Sequence, residues 1–210
     1  MTTTATEQLR ETILEQLKTQ EIVRIPASED EFFALANEVP FKIEYHNSEI
    51  ITMGLTTPWH EVLVANLIVL LNTVFSLDKS IFILGSNAGI QIPKFEGGYY
   101  MPDITVVKGA FELKEGSNCI ITNPYVVVEV LSKSTANYDR GDKLPEYKHL
   151  ESLQQIILVS QDKMEVESYT RTDKPNTWLN QTFTDAGESL TVQQSDILLR
   201  DIYRRIEFAK

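Results

Sequence analysis

Apolar and polar positions along this chain switch between two periods. Leu9, Ile13 and Leu17 recur at helical spacing among Glu, Gln and Lys. That spacing predicts a helical arm over residues 1 to about 24, closed by Pro26. Ser28 with Glu31 matches a capping box and predicts a short helix to about Glu38. Residues 41–45 and 49–53 then flank Asn47-Ser48, which predicts a β-hairpin. Pro58 suits the first turn of a long helix reaching about Leu77. This helix is apolar nearly all round, so it is expected to be a core helix against a sheet.

Strands are predicted at residues 81–84, 89–92, 103–107 and 126–131, with Gly97-Gly98 as a loop ahead of the third. A helical region follows at about 136–149. Two strands, 155–159 and 164–169, are joined by Ser160-Gln161-Asp162-Lys163. The second alternates, with Met164, Val166 and Ser168 on one face and Glu165, Glu167 and Tyr169 on the other. Residues 178–183 and 189–192 complete the strands. No repeat, low-complexity tract or linker interrupts the pattern. It predicts one α/β (α+β) domain over residues 25–210, a central mixed sheet flanked by helices, with residues 1–24 as an accessory arm.

Composition narrows the partners. The 210 residues are 42% apolar and 23% charged, ordinary for a globular domain. The formal charge of −11 is not ordinary, and it argues against a general nucleic-acid-coating protein. A local basic patch is compatible with it. Cys119 is the only cysteine, so an internal disulfide and a thiolate zinc site are both excluded. The Thr-rich start has no signal-peptide pattern. The longest apolar run, broken by Asn66 and Asn72, falls short of the ~20 residues that span a bilayer. No membrane contact is expected, and a cytoplasmic location is.

The candidate chemistry lies in two strands. Pro102-Asp103-Ile104-Thr105-Val106-Val107 and Tyr125-Val126-Val127-Val128-Glu129-Val130-Leu131-Ser132 each carry one carboxylate in an apolar segment. A carboxylate there loses its hydration unless a cation or hydrogen-bond donors replace the water. Either the two acids face a common metal ion, or each is held separately by backbone amides or an Arg. The polar segment that follows begins at a strand's C-terminal end, where open α/β sheets bind ligands. On a continuous helix Asp139, Lys143 and Tyr147 would share one face. The alternative for Asp139 and Lys143 is a surface pair worth a few tenths of a kcal/mol. Pro145 cannot donate to the Gly141 carbonyl, which predicts irregularity before about Asp142.

Taken in order, Pro102-Asp103, Val128-Glu129-Val130-Leu131-Ser132, Ser134-Thr135 and Tyr138-Asp139-Arg140-Gly141-Asp142-Lys143-Leu144-Pro145-Glu146-Tyr147 resemble the Uma2 family. These are restriction-endonuclease-like proteins of the PD-(D/E)XK nuclease superfamily, abundant in cyanobacteria. The resemblance spans roughly residues 28–200. It implies Asp103 and Glu129 as metal ligands, Mg²⁺ or Mn²⁺ as cofactor, DNA as substrate and a homodimer. The superfamily lysine two residues after the glutamate is replaced by Leu131, and the resemblance places its substitute at Lys143. Glu44 on the first hairpin resembles a further acid near the metal. His60 resembles a histidine at the start of the long helix, serving either the site or a loop hydrogen bond. His46 and His149 match no metal-ligand spacing in the sequence and receive no role. Tyr138, Tyr147 and Trp178 read as packing residues.

Two other functions compete. Leu131 and the net charge favour a nuclease-like fold without catalysis, kept for binding nucleic acid or protein. A serine hydrolase using Ser132 or Ser134 lacks the Gly-x-Ser-x-Gly elbow, and no Gly-rich phosphate loop is present.

Overall fold

The computed structural model describes residues 4–92 and 98–208. The mixed α+β architecture expected from the sequence is observed, with the strands divided between two six-stranded sheets. The first comprises β1 (Ile22–Pro26), β2 (Ile43–His46), β3 (Glu49–Met53), β5 (Gly89–Ile92), β6 (Gly98–Tyr100) and β8 (Ile120–Ile121). Their spatial order is β1-β3-β2-β6-β5-β8. The second comprises β4 (Ile81–Gly85), β7 (Ile104–Lys108), β9 (Pro124–Leu131), β10 (Gln155–Ser160), β11 (Val166–Arg171) and β12 (Trp178–Phe183). Their order is β12-β11-β10-β9-β7-β4, with β9 and β10 parallel and the other neighbours antiparallel. A separate hairpin pairs β13 (Ser189–Val192) with β14 (Ser195–Leu198).

Helices α1 (Ala5–Gln16) and α2 (Glu29–Ala36) both open on capping boxes, from Thr4 with Glu7 and from Ser28 with Glu31. They pack Ile13, Phe32 and Leu35 against Val23, Ile43, Tyr45 and Tyr99 of the first sheet. Helix α3 (Pro58–Val74) starts at the Thr57 cap with Pro58 in its first turn. It lays Leu63, Leu67 and Leu71 on Ile104, Val106, Val126 and Val128 of the second sheet. Burying each such side chain contributes about 1.5–3 kcal/mol. Between the two sheets lie Val127, Leu131, Ile156, Ile51 and Tyr100, with Tyr138, Leu144 and Tyr147 from the segment after β9. The site is built in this middle layer.

Several local expectations change. The arm helix stops at Gln16, and residues 22–26 join the sheet because Ile22, Val23 and Ile25 favour a pleated surface. Helix α3 buries one face only, leaving Val69 exposed on the other. Asn66, which breaks its apolar run, donates to the carbonyls of Ile202 and Arg204 and pins the C-terminal segment containing α6 (Leu199–Ile202). Gly98 opens β6, whereas Gly97 lies outside the described residues. Asn47 and Ser48 both adopt positive φ (51° and 60°), the tight-hairpin geometry their position predicts.

Candidate active site

Antiparallel register fixes the two strand carboxylates. Ile104 lies opposite Val128. Continuing that ladder one residue puts Asp103 across from Glu129, on the same sheet face. The Val130 N–H donates to Asp103 Oδ2 at 2.8 Å, and the Asp103 N–H points to Glu129 Oε2 at 3.4 Å. Both side chains are buried, at 6% and 3% exposure.

The third element is the helical segment after β9. It runs through α4 (Ala136–Tyr138), a π-helical turn (Asp139–Lys143) and α5 (Leu144–Tyr147). In the π turn the Leu144 N–H reaches the Asp139 carbonyl five residues back. The wider turn relieves the conflict between the Pro145 ring and the preceding carbonyls. It also keeps Asp139, Lys143 and Tyr147 facing inward, all buried. The Asp139–Lys143 pair is therefore internal, not a surface pair.

Lys143 is the hub. Its Nζ lies 3.0 Å from Glu44 Oε1, 3.1 Å from Glu129 Oε1 and 3.1 Å from Asp139 Oδ1. The Tyr147 hydroxyl donates to Glu129 Oε1 and the Tyr138 hydroxyl to Glu44 Oε2. The Met101 N–H donates to Glu44 Oε1, tying the hairpin acid to the residue before Pro102. On the other side of Asp103, Oδ1 meets Lys42 Nζ at 3.1 Å and His60 Nε2 at 3.3 Å. The structure thus brings together Asp103, Glu129, Lys143, Glu44 and His60.

Four residues were given no site role by sequence reasoning: Lys42, Asp139, Tyr138 and Tyr147. Asp139 and Tyr147 were legible through their spacing from Lys143; Lys42 carried no local signal. Next to the cluster, His46 Nε2 lies 3.1 Å from Glu146 Oε1, and the Tyr100 hydroxyl donates to Glu146 Oε2.

The electrostatics split the two acids. Burial pushes the Glu129 carboxyl up to about 8, with Asp139, Asp103 and Glu44 adding to the rise against the pull of Lys143. Burial also disfavours ionised Asp103, but the His60 hydrogen bond, the Lys42 charge and the Val130 N–H together hold its carboxyl below the usual range. Burial opposes the charge on Lys143 too, yet Glu129, Glu44 and Asp139 keep it firmly protonated. Across the cluster, Glu44, Asp103, Glu129 and Asp139 face Lys42 and Lys143. Among the described residues no three His, Cys, Asp or Glu side chains form a metal cage. The Asp103–Glu129 pair is the donor set that could hold an ion, since hard carboxylate oxygens in small number suit one that keeps waters.

Comparison with known proteins gives the family and the fold. The chain is 37% identical over 141 residues to the uncharacterized protein slr1290 of Synechocystis sp., covering 66% of this chain and 70% of that one. It is 29% identical over 141 residues to sll1609 of the same organism, covering 67% and 78%. A crystal structure described as a putative nuclease belonging to DUF820 from Anabaena variabilis superposes with a TM-score of 0.66 at 18% identity. That match covers 85% of this chain and 98% of the other, and shows the shared fold. Among the described residues no helix is long and apolar enough to cross a membrane. The family model Uma2, "Putative restriction endonuclease", matches residues 29–196, and the chain belongs to that family.

Proposed function

We propose that this protein is a metal-dependent endonuclease that hydrolyses DNA phosphodiester bonds. One observation carries the reading: a buried, directly opposed carboxylate pair, Asp103 and Glu129, with the further acids Glu44 and Asp139 gathered beside it around Lys143. Mg²⁺ or Mn²⁺ held by this pair would polarise the scissile phosphate and lower the pKa of a bound water. The chain's own groups prepare the pair. Lys143 and Tyr147 orient Glu129 and favour its ionised form. The Val130 N–H, Lys42 and His60 do the same for Asp103. Glu44 fixes Lys143 and ties the first hairpin to the site.

A homodimer would place two such sites on one duplex. The outer edge of β4 is suited to pairing with a second copy. Its sequence Ile-Phe-Ile-Leu-Gly has no charge and no proline, and Phe82, at 42% exposure, packs against exposed Phe111. At the edges of the first sheet, β1 carries Arg24 and Pro26, and β8 has only two residues. The exposed free thiol of Cys119 suits a reducing cytoplasm.

Plasmid incubated with Mg²⁺ or Mn²⁺ tests the function. The wild type should nick or linearise it and Asp103→Ala should not; equal cleavage by both refutes the assignment. Leu131 at the superfamily's lysine position favours a second reading, a binding module without catalysis. Calorimetry separates the two, since that module would take up no ion in a Glu129-dependent way.

A further inference from the structure

A lysine ammonium has three N–H donors and no acceptor. The Lys143 ammonium donates to Glu129 Oε1 at 3.1 Å and is ion-paired with Glu44 and Asp139 at 3.0 and 3.1 Å, so three carboxylates surround it. Its side chain is 3% exposed, with the rings of Tyr138 and Tyr100 centred 5.1 and 5.9 Å from Nζ. A phosphate oxygen could reach this ammonium only by displacing a carboxylate, which would then be buried without its counter-ion.

Lys42 differs on each count. It precedes β2, and its carbonyl accepts from the buried Thr52 hydroxyl at 2.8 Å, which fixes where the side chain starts. Its Nζ lies 3.1 Å from Asp103 Oδ1, and its side chain is 31% exposed. Among the described residues Asp103 is its one ion-pair partner, so two donors remain for a ligand. His60 approaches the same Asp103 oxygen with a side chain only 9% exposed. Lys42 is therefore the ammonium standing between solvent and the acid pair.

We propose that Lys42 is the catalytic ammonium that contacts the scissile phosphate, and that Lys143 is the structural counter-ion that assembles the acids. The inference rests on the nuclease reading above. In hydrolysis a water oxygen bonds to phosphorus, the P–O bond to one deoxyribose oxygen breaks, and that oxygen takes up a proton originating from water. Lys42 stays protonated throughout. Its N–H groups beyond the Asp103 bond meet the non-bridging oxygens, where negative charge accumulates in the transition state.

The test compares Lys42→Met, Lys42→Arg and Lys143→Met with the wild type in four measurements: melting temperature, Mn²⁺ calorimetry, plasmid cleavage, and salt-dependent binding of a short duplex without metal. Lys42→Met should lower the melting temperature far less than Lys143→Met, because the pair it breaks is partly exposed, and it should still bind Mn²⁺. It should cleave about 100-fold or more slowly. The slope of log affinity against log salt should fall in magnitude by about one. Lys42→Arg should recover at least about tenfold of the lost rate. Lys143→Met should show its main effect on melting. A wild type that cleaves beside a Lys42→Met variant cleaving equally overturns this inference and leaves the nuclease reading standing. A wild type that leaves plasmid intact overturns the nuclease reading, and an unchanged salt slope then removes Lys42 from any phosphate contact.

Discussion

Replacing Lys143 with Met tests whether one buried cation holds three acids together. Met keeps much of the side chain's length but removes the charge shared by Glu44, Glu129 and Asp139, each at 5% side-chain exposure or less. Breaking a buried ion pair by removing one partner costs about 3–5 kcal/mol. The acids cannot all stay ionised in the variant, and proton uptake by Glu129 and Asp139 should keep the loss near that range. The same proton uptake gives the loss a pH dependence. Burial already raises both carboxyls above their ordinary values, and losing Lys143 raises them further. A group with a raised folded pKa binds more protons folded than unfolded, so its effect on stability worsens as pH rises. The deficit of Lys143→Met should be small near or below the unfolded carboxyl pKa of about 4 and largest above pH 8. Urea unfolding at several pH values measures it, and adding Glu129→Gln should restore part of the stability. A deficit under about 1 kcal/mol at neutral pH, the scale of an exposed pair, would refute the reasoning.

Other consequences follow from the same geometry. Because the Glu129 carboxyl is raised to about 8, it is largely protonated at neutral pH, and an ion must displace that proton. Metal affinity should therefore climb toward pH 8, and calorimetry in buffers of different ionisation enthalpy should show nearly one proton released per ion at pH 7. Tyr147→Phe removes a buried donor to Glu129 and should cost about 1–3 kcal/mol while weakening metal binding; an unchanged variant in urea unfolding would contradict this. Phe82→Lys should convert a dimer to a monomer by light scattering, and a dimer that persists would exclude the β4 edge.

The elements whose pattern is local were readable from sequence. Ser28 and Glu31 announced α2, Asn47-Ser48 announced the hairpin, and the Val-rich runs announced β7 and β9. The short strands β6 and β8 were not, because residues 98–100 and 120–121 carry too few positions to show a period. Strand β1 was absorbed into the arm helix, since Ile22 and Ile25 also fit helical spacing. In the site, Asp103 and Glu129 stood out as acids in apolar runs. Lys42 did not, because its partner lies 61 residues away and only the folded sheets bring them together. The inward direction of Asp139 and Lys143 depended on the π turn, which Pro145 hinted at without specifying.

If Asp103 and Glu129 share one divalent ion, anomalous diffraction from crystals soaked with Mn²⁺ above pH 8 should locate it between them. A single strong peak is expected on the order of 2 Å from a carboxylate oxygen of each residue, absent in Asp103→Ala. A peak elsewhere, or density at the pair that Asp103→Ala leaves unchanged, would contradict it.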